Sequence, residues 1–307
     1  MPSGNLILTL ADVEAFVAIA RTGGVTRAAG RLHRSQPAIT RRVRQLEQAL
    51  GAPLIARGPG GATLTEAGRA FLPHAEAALA TLADGAAAVA ALDRADAGAI
   101  SLAIVGTLAD SPLVARLQAY LRRHPAVHLD LRTANSREVS DLVRRGEAVL
   151  GLRYFADPGD DLVSVEIGRE PLLLACAGDH PLAGKRLRGT AKLAAERWLS
   201  FPSGRGRPSS SGRLVEQQLA RAGLGDVDLL LVDSLTAQKR LVEAGFGIAL
   251  LPETAVREER RLGSIATIDA PALRLAQPVC AVHRRNGFLN GATRALLAEL
   301  SDGAAKQ

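Results

Sequence analysis

Disulfides, membrane spans and catalytic motifs are all missing from this chain of 307 residues. Its two cysteines, Cys176 and Cys280, both sit in apolar, strand-like runs. They exclude a disulfide framework and imply a reducing compartment. Neither has a cation or a second cysteine nearby in sequence, so both read as buried apolar side chains rather than redox sensors. No apolar stretch approaches the roughly 18 residues that a membrane span needs. Met1–Thr9 has neither the basic segment nor the apolar core of a secretory leader. A soluble, cytoplasmic chain without membrane contact is expected. The six histidines are scattered, and none shares metal-ligand spacing with a cysteine. There is no nucleophile elbow, phosphate loop or dinucleotide fingerprint. Neither an enzyme nor a cofactor nor a metal site is expected. His124 and His180 each precede proline and read as surface or capping residues in turns.

Acidic residues are scarce at the start of the chain. Before residue 65 they are Asp12, Glu14 and Glu47, against Arg21, Arg27, Arg31, Arg34, Arg41, Arg42, Arg44 and Arg57. The whole chain has 38 basic and 31 acidic residues, a net +7, so much of the excess lies in this first stretch. Arginine suits bidentate contacts to phosphate and guanine, although the chain prefers Arg to Lys throughout. A positive face made of arginine favours an anionic partner.

The residues of this stretch organise that charge. Ser35-Gln36-Pro37-Ala38-Ile39 opens a helix: Ser is a favoured N-cap, and proline is tolerated in the first turn. Ile39, Val43, Leu46 and Leu50 form one apolar stripe, and Gly51 stops the helix. The other side carries Arg41, Arg44, Gln45 and Gln48, with Gln36 and Thr40 near the N-terminal end. A shorter helix precedes it, with Thr26 as cap and Ala28, Ala29 and Leu32 facing inward; His33-Arg34 makes the turn. An earlier helix, Ala11–Arg21, adds Val13, Phe16, Val17 and Ala20 to the core. Two helices around a tight turn place the N-terminal residues of the second on base edges in the major groove. After Gly51, two short extended segments flank the Gly58-Pro59-Gly60-Gly61 turn and form a wing. The DNA-contacting set is therefore Ser35, Gln36, Pro37, Thr40, Arg41, Arg44 and Arg57. Arg57 either reaches phosphate or braces the wing. Arg27 and Arg34 are divided between contact and scaffold. Glu47 reads as a structural partner for a nearby arginine.

Residues 23–68 resemble the LysR-type transcriptional regulators. The match runs through Gly23-Gly24-Val25-Thr26-Arg27-Ala28-Ala29, Leu32, Ser35-Gln36-Pro37-Ala38-Ile39-Thr40, Leu46-Glu47, Leu50-Gly51, Pro53-Leu54-Ile55, Arg57 and Leu64-Thr65-Glu66-Ala67-Gly68. It continues more loosely through His124-Pro125, Asp179-His180-Pro181-Leu182 and Gly245-Phe246-Gly247-Ile248-Ala249-Leu250-Leu251-Pro252. Two departures stand out: Ile55 replaces the family's usual aromatic, and the wing lacks its usual basic residue. The resemblance implies a sequence-specific regulator of double-stranded DNA, modulated by a small-molecule effector. The implied fold is α/β: an N-terminal winged helix-turn-helix (9–65), a linker and dimerisation helix (66–95), and a two-lobed type II periplasmic-binding-like domain (98–300). Lobe 1 would take about 98–169 and 274–300, lobe 2 about 170–273. A homodimer or homotetramer follows.

The later chain fits that plan on its own terms. Glu66–Leu92 has high helix propensity and reads as too weakly apolar to pack inside a small domain; Gly85 is a candidate kink. Beyond it, apolar runs at Ile100–Val105, His128–Arg132, Val149–Arg153, Leu172–Ala177, Leu229–Val232, Ile248–Leu250 and Pro278–Val282 alternate with helical patterns, as in a parallel α/β sheet. Helices are expected at Pro112–Arg123, Arg137–Arg145, Gly212–Ala222 and Ser234–Ala244. An architectural DNA-binding protein would not need this region. Effectors of such folds sit between lobes, at strand carboxyl ends and helix N-termini. The effector set is Thr107, Asn135, Ser136, Arg153, Ser203, Gly204 and Arg205, suited to a polar or anionic metabolite. Three of them have a plainer role open: Thr107 as a helix cap, Arg153 in a lobe–lobe salt bridge, Arg205 as a solvated loop residue. Asp233-Ser234 reads mainly as a capping element.

Overall fold

The structure is a computed structural model that describes residues 8–58, 61–91, 98–110, 112–203 and 209–302. Three helices come first: α1 (Leu10–Thr22), α2 (Val25–Arg31) and α3 (Gln36–Leu50). Thr9 caps α1 by accepting from Asp12 N, and Gly23 ends it in the left-handed region at φ 68°. No side chain caps α2; its N-cap is Gly24, not the expected Thr26. His33 supports the α2–α3 turn with φ 51°, a conformation uncommon outside glycine and asparagine. Strands β1 (Ile55–Gly58) and β2 (Gly61–Leu64) then pair antiparallel, Ile55 opposite Leu64 and Gly58 opposite Gly61, which is the expected wing.

Helix α4 (Glu66–Ala91) runs unbroken through Pro73 and Gly85. Its first turns do pack inside the small domain, contrary to expectation. Phe71 lies 5.6 Å from Phe16, ring centre to ring centre. Ala75 is buried, and Leu72 and Leu79 lean on the same core of Phe16, Val17, Ile19, Ile39, Val43, Leu46 and Leu54. Alanines at the buried points let α4 approach closely. Farther along, Leu82 and Val89 are 56% and 67% exposed, so the helix carries an unburied apolar face.

The rest of the chain forms one sheet of nine strands, counted among the described residues. It contains β3 (Ala99–Val105), β4 (His128–Ala134), β5 (Leu150–Tyr154), β6 (Leu162–Ala177), β7 (Trp198–Ser200), β8 (Leu229–Leu231), β9 (Ile248–Pro252), β10 (Ile265–Thr267) and β11 (Leu275–Arg284). The order is β4-β3-β5-β11-β6-β9-β7-β8, with β10 beside β6. The sheet is mixed rather than parallel. The sets β4-β3-β5 and β9-β7-β8 are parallel, while β6 and β11 run antiparallel to each other and to their outer neighbours β9 and β5.

Among the described residues, three cores pack on the sheet. One joins Ile100, Ile104, Leu117, Tyr120, Val139, Leu152 and Ile167 to Val282, Leu296 and Leu300. A second gathers Leu172, Leu174, Trp198, Val215, Leu219, Ile248 and Leu273, and a third joins Ala175, Leu199, Val242, Ala249, Leu251 and Val256. The first core marks one lobe, lobe 1, and the other two mark a second, lobe 2. Helices α5 (Pro112–Arg123), α6 (Ser136–Arg144) and α10 (Gly291–Asp302) belong to the first, and α7 (Ser210–Arg221), α8 (Leu235–Glu243) and α9 (Arg257–Leu262) to the second. No helix among the described residues is long and apolar enough to cross a membrane.

Gly68 is fixed by space: an added Cβ would stand 2.1 Å from the Leu54 carbonyl oxygen. That oxygen already accepts from Thr65 N at the entry to α4. Gly68→Ala is expected to cost about 1–3 kcal/mol through overpacking against backbone. The measurement is a drop in the melting temperature of the winged-helix unit, and an unchanged melting curve would show that α4 does not seat where described.

Candidate functional site

Helix α3 presents two unlike sides. Ile39, Val43 and Leu46 are buried in the small core, whereas Gln36, Pro37, Arg41, Arg44, Gln45 and Gln48 are exposed and Thr40 is half-buried. Ser35 is the N-cap, with φ −75°, ψ 149° and a hydroxyl that accepts from Ala38 N at 3.4 Å. The exposed side chains run along most of the helix, and Gln36, Pro37 and Arg41 lie in its N-terminal half, the part that enters a major groove in helix-turn-helix docking. A guanidinium there matches guanine, and a carboxamide matches adenine.

The neighbouring charges explain why only some arginines remain available. Arg42 turns inward to the buried Asp12 at 3.3 Å. Arg27 bends back and donates to the Thr22 carbonyl. Glu47 accepts from the backbone N–H groups of Leu54 and Ile55 at 2.8 and 3.1 Å. Its partner is thus the start of the wing rather than an arginine, and it fixes the wing relative to α3. Among the described residues Arg41 and Arg44 have no carboxylate partner, and both project outward. Arg34 is exposed. Arg57 is the third residue of β1, facing Ala62 in register; its side chain lies outside the described atoms.

The second constellation sits where the lobes meet. Strands β3, β4 and β5 are adjacent and parallel, so Thr107, Asn135-Ser136 and Tyr154 share one carboxyl edge of lobe 1. In lobe 2, Ser203, Ser234 and Thr254 follow β7, β8 and β9 in the same way. The edges are joined through a buried carboxylate that sequence reasoning missed. Thr107 Oγ1 donates to the Tyr154 hydroxyl at 3.1 Å, and Tyr154 donates to Glu170 Oε2 at 2.7 Å. From lobe 2, Thr254 donates to Glu170 through both its hydroxyl and its N–H. Glu170 lies in β6, opposite Gln277 in β11. The buried Gln277 accepts from Ser211 Oγ at 2.9 Å. Tyr154, Glu170, Thr254 and Gln277 could have been found from polar residues set inside apolar runs, but only with the strand pairing in hand.

The other expected residues are placed differently. Asn135 is exposed and serves a capping box for α6, accepting from Arg137 N and Glu138 N while Glu138 accepts from Asn135 N. Ser136 is the first residue of that helix. Arg153 is not in the cleft. Strand alternation turns it to the opposite face from Tyr154, and it bonds Ser140 at 2.6 Å and Asp157. Both partners lie in lobe 1, so it is not a lobe–lobe bridge either. Burial pulls the Arg153 guanidinium down from its ordinary value, against the pull of Asp157. Burial would raise Asp157, but hydrogen bonds from Ser140 and Gly159 N and the charges of Arg144 and Arg153 hold it below the ordinary carboxylate value. Ser203 is half-buried beside the N-terminal end of α7, where Ser209 N returns to Pro202 O at 2.7 Å. Gly204 and Arg205 lie outside the described residues. Ser234 caps α8, accepting from Ala237 N. His180 bonds Glu196 and accepts from Leu182 N, a capping role. Burial pushes the Cys176 thiol up to about 11, which leaves it unreactive.

Two family models match the chain: "Bacterial regulatory helix-turn-helix protein, lysR family" over residues 10–69, and "LysR substrate binding domain" over residues 93–305. The HTH-type transcriptional regulator CbbR of Cereibacter sphaeroides is 31% identical over 297 residues, 95% of this chain and 94% of that protein. Full-length CbnR complexed with its target DNA is similar at TM-score 0.65 and 28% identity, over 97% of this chain and 99% of that one. A full-length OxyR variant of Pseudomonas aeruginosa shares the fold at TM-score 0.72 and 21% identity, over 97% and 95% of the two chains.

Tyr154→Phe removes the hydroxyl between Thr107 and Glu170 and keeps the ring. The expected cost is about 1–3 kcal/mol, the price of leaving buried polar atoms unpaired. Denaturant unfolding of the full chain measures it; no loss would mean that Glu170 does not depend on lobe 1 for its hydrogen bonds.

Proposed function

This chain belongs to the LysR family of transcriptional regulators, and from that premise we propose that it binds double-stranded DNA through the outer side of α3 and answers to a polar effector held between its lobes. It is a regulator rather than an enzyme, as its relatives are transcription regulators. The observation that carries the DNA reading is the division of labour among the arginines: Arg42 is tied to Asp12 and Arg27 to the Thr22 carbonyl, while Arg41 and Arg44 project without a carboxylate partner among the described residues, beside Gln36 and Thr40. Ser35 and Pro37 set the helix N-terminus toward a phosphate, and Arg57 extends the contact from the wing. A relative solved with its target DNA supports the same use of the fold.

The proposed divisions are a winged helix-turn-helix at 9–65, a linker and dimerisation helix at 66–95, and an effector domain at 98–300. Lobe 1 takes about 98–169 and 274–300, and lobe 2 about 170–273. The exposed Leu82 and Val89 on α4 supply the apolar face for a second copy, giving a homodimer or, through further contacts, a homotetramer. The chain works in the cytoplasm, where its DNA is.

Thr107, Asn135, Ser136 and Ser203 stand around the strand carboxyl edges, and Gly204 and Arg205 follow Ser203 in the sequence. Hydroxyls and helix N-termini suit a polar effector. Arg153 no longer argues for an anionic one, because its guanidinium is engaged inside lobe 1. A ligand that touches both lobes favours one lobe angle, and only such a preference can shift the balance between two states.

Arg41→Ala is expected to weaken operator binding by about 1–3 kcal/mol if the contact is to a base. Arg42→Ala should instead lower stability by releasing Asp12. Equal operator affinity of Arg41→Ala and wild type across a salt series would remove Arg41 from the interface. For the cleft, small polar metabolites that raise the wild-type melting temperature should leave Thr107→Trp unmoved, while its operator binding persists. A ligand shift that survives in Thr107→Trp would place the pocket elsewhere.

A further inference from the structure

The wing is tied down at two places by residues outside it. At its base, Glu47 of α3 accepts from Leu54 N and Ile55 N, and both bonds end on one oxygen, Oε1. Nearer the tip, Ala62 N donates to the Gly23 carbonyl at 3.2 Å. Gly23 is the C-cap of α1. A helix end leaves its last carbonyls without partners inside the helix, and β2 supplies the partner here. Gly61, next to Ala62, has φ +110°. An added Cβ at Gly61 would stand 2.9 Å from the same Gly23 oxygen, so glycine at this position is what lets β2 reach the α1–α2 turn. Arg27 props that turn by donating to the Thr22 carbonyl. Ala62 faces Arg57 in register, so the tie near the tip lies across from Arg57, the only charged residue between Glu47 and Glu66 in the sequence.

We propose that Glu47 and Gly61 are positioning residues for DNA binding: with the Gly23 carbonyl they hold the wing at one angle to α3, and so place Arg57 against a phosphate while α3 lies in the groove. The inference rests on the reading that α3 faces double-stranded DNA. A hairpin tied only at its base swings about that point. Here the ties are on different strands, β1 held at Ile55 and β2 at Ala62. Ile55 and Arg57 are two residues apart, so the ties stand about 7 Å apart along the hairpin. The tip sequence Gly58-Pro59-Gly60-Gly61 gives the wing little stiffness of its own. A loose wing would lose most of the gain from its single cation to the entropy of ordering the hairpin on the duplex, whereas a wing already ordered keeps it. The tie at the base depends on an acceptor oxygen at position 47 and not on the charge, because glutamine offers the same oxygen.

Phosphate contacts do not depend on sequence, so the probe is a long mixed-sequence DNA duplex. The full chain is titrated with it across a series of salt concentrations, and the slope of log affinity against log salt reports the number of phosphate contacts. Arg57→Ala is expected to flatten the slope by about one per wing. Glu47→Ala should flatten it as much, although Arg57 is intact. Adding Arg57→Ala to Glu47→Ala should change nothing further. Glu47→Gln should keep the wild-type slope; it loses the same charge as Glu47→Ala, so the difference between the two reports the hydrogen bonds alone. Gly61→Ala changes no charge and should behave as Glu47→Ala does. A wild-type slope in Glu47→Ala, a Glu47→Gln slope as flat as that of Glu47→Ala, additive losses in the double variant, or no effect of Arg57→Ala overturns the proposal. Each of these leaves the DNA reading standing, whereas a wild-type chain without salt-dependent affinity for the duplex sinks both. Circular dichroism checks that every variant is folded, and if Glu47→Ala is not, Gly61→Ala is read by the same criteria.

Discussion

Everything in the C-terminal region depends on two strands that belong to both lobes. β6 and β11 pair antiparallel over most of their length, from Leu275 opposite Leu172 to Arg284 opposite Leu162. Each lobe adds three parallel strands to one side of this pair. Because the pair is central, neither lobe's core can form without it, and every relative movement of the lobes must bend it. The ladder is irregular at Val279/Cys280, where an irregularity weakens pairing and eases bending. Glu170 and Gln277 stand side by side just beyond that point. Hydrogen bonds from Tyr154 on one side and Thr254 on the other end on Glu170, so the polar link between the lobes sits close to the irregular point of the ladder.

The N-terminal domain solves a different problem: keeping a positive surface without internal repulsion. Arginines with structural duties are tied down, Arg42 by Asp12, Arg27 by a carbonyl, and Arg21 by Glu76 and Glu147. Arg41 and Arg44, on the outer side of α3, are left to water. Two of the sparse acids, Asp12 and Glu47, are used to fix geometry. Glu47 is the clearest case, since its carboxylate joins the end of α3 to the start of the wing through two backbone amides.

Local signals made the first domain legible in the sequence. Ser35, Pro37 and Gly51 mark the ends of α3, and Ile39, Val43 and Leu46 mark its buried side; the structure uses each in that way. These effects act within a few residues, so one sequence suffices. The cleft was less legible because its residues meet through strand order. Tyr154 and Arg153 are neighbours on opposite faces of β5, and a cation drew attention that the hydroxyl merited. Glu170 is remote in sequence from Thr107 and Thr254. The mixed sheet was hidden for a related reason: an apolar run gives no direction, and β6 and β11 look like parallel strands until their partners are known. The cap of α2 failed more simply, as Gly24 occupies the position and leaves Thr26 within the helix.

The seat of Phe71 against Phe16, with Ala75 buried beside them, has a consequence for how such a protein is taken apart and recombined. The small domain's core is completed by a helix that continues toward the lobes. A junction for grafting this reading head onto a foreign sensor cannot fall at the end of the wing, because the graft would arrive without part of its interior. The seam has to be cut within α4 beyond Leu79, so that the modules are exchanged with a shared rod rather than at a flexible tether.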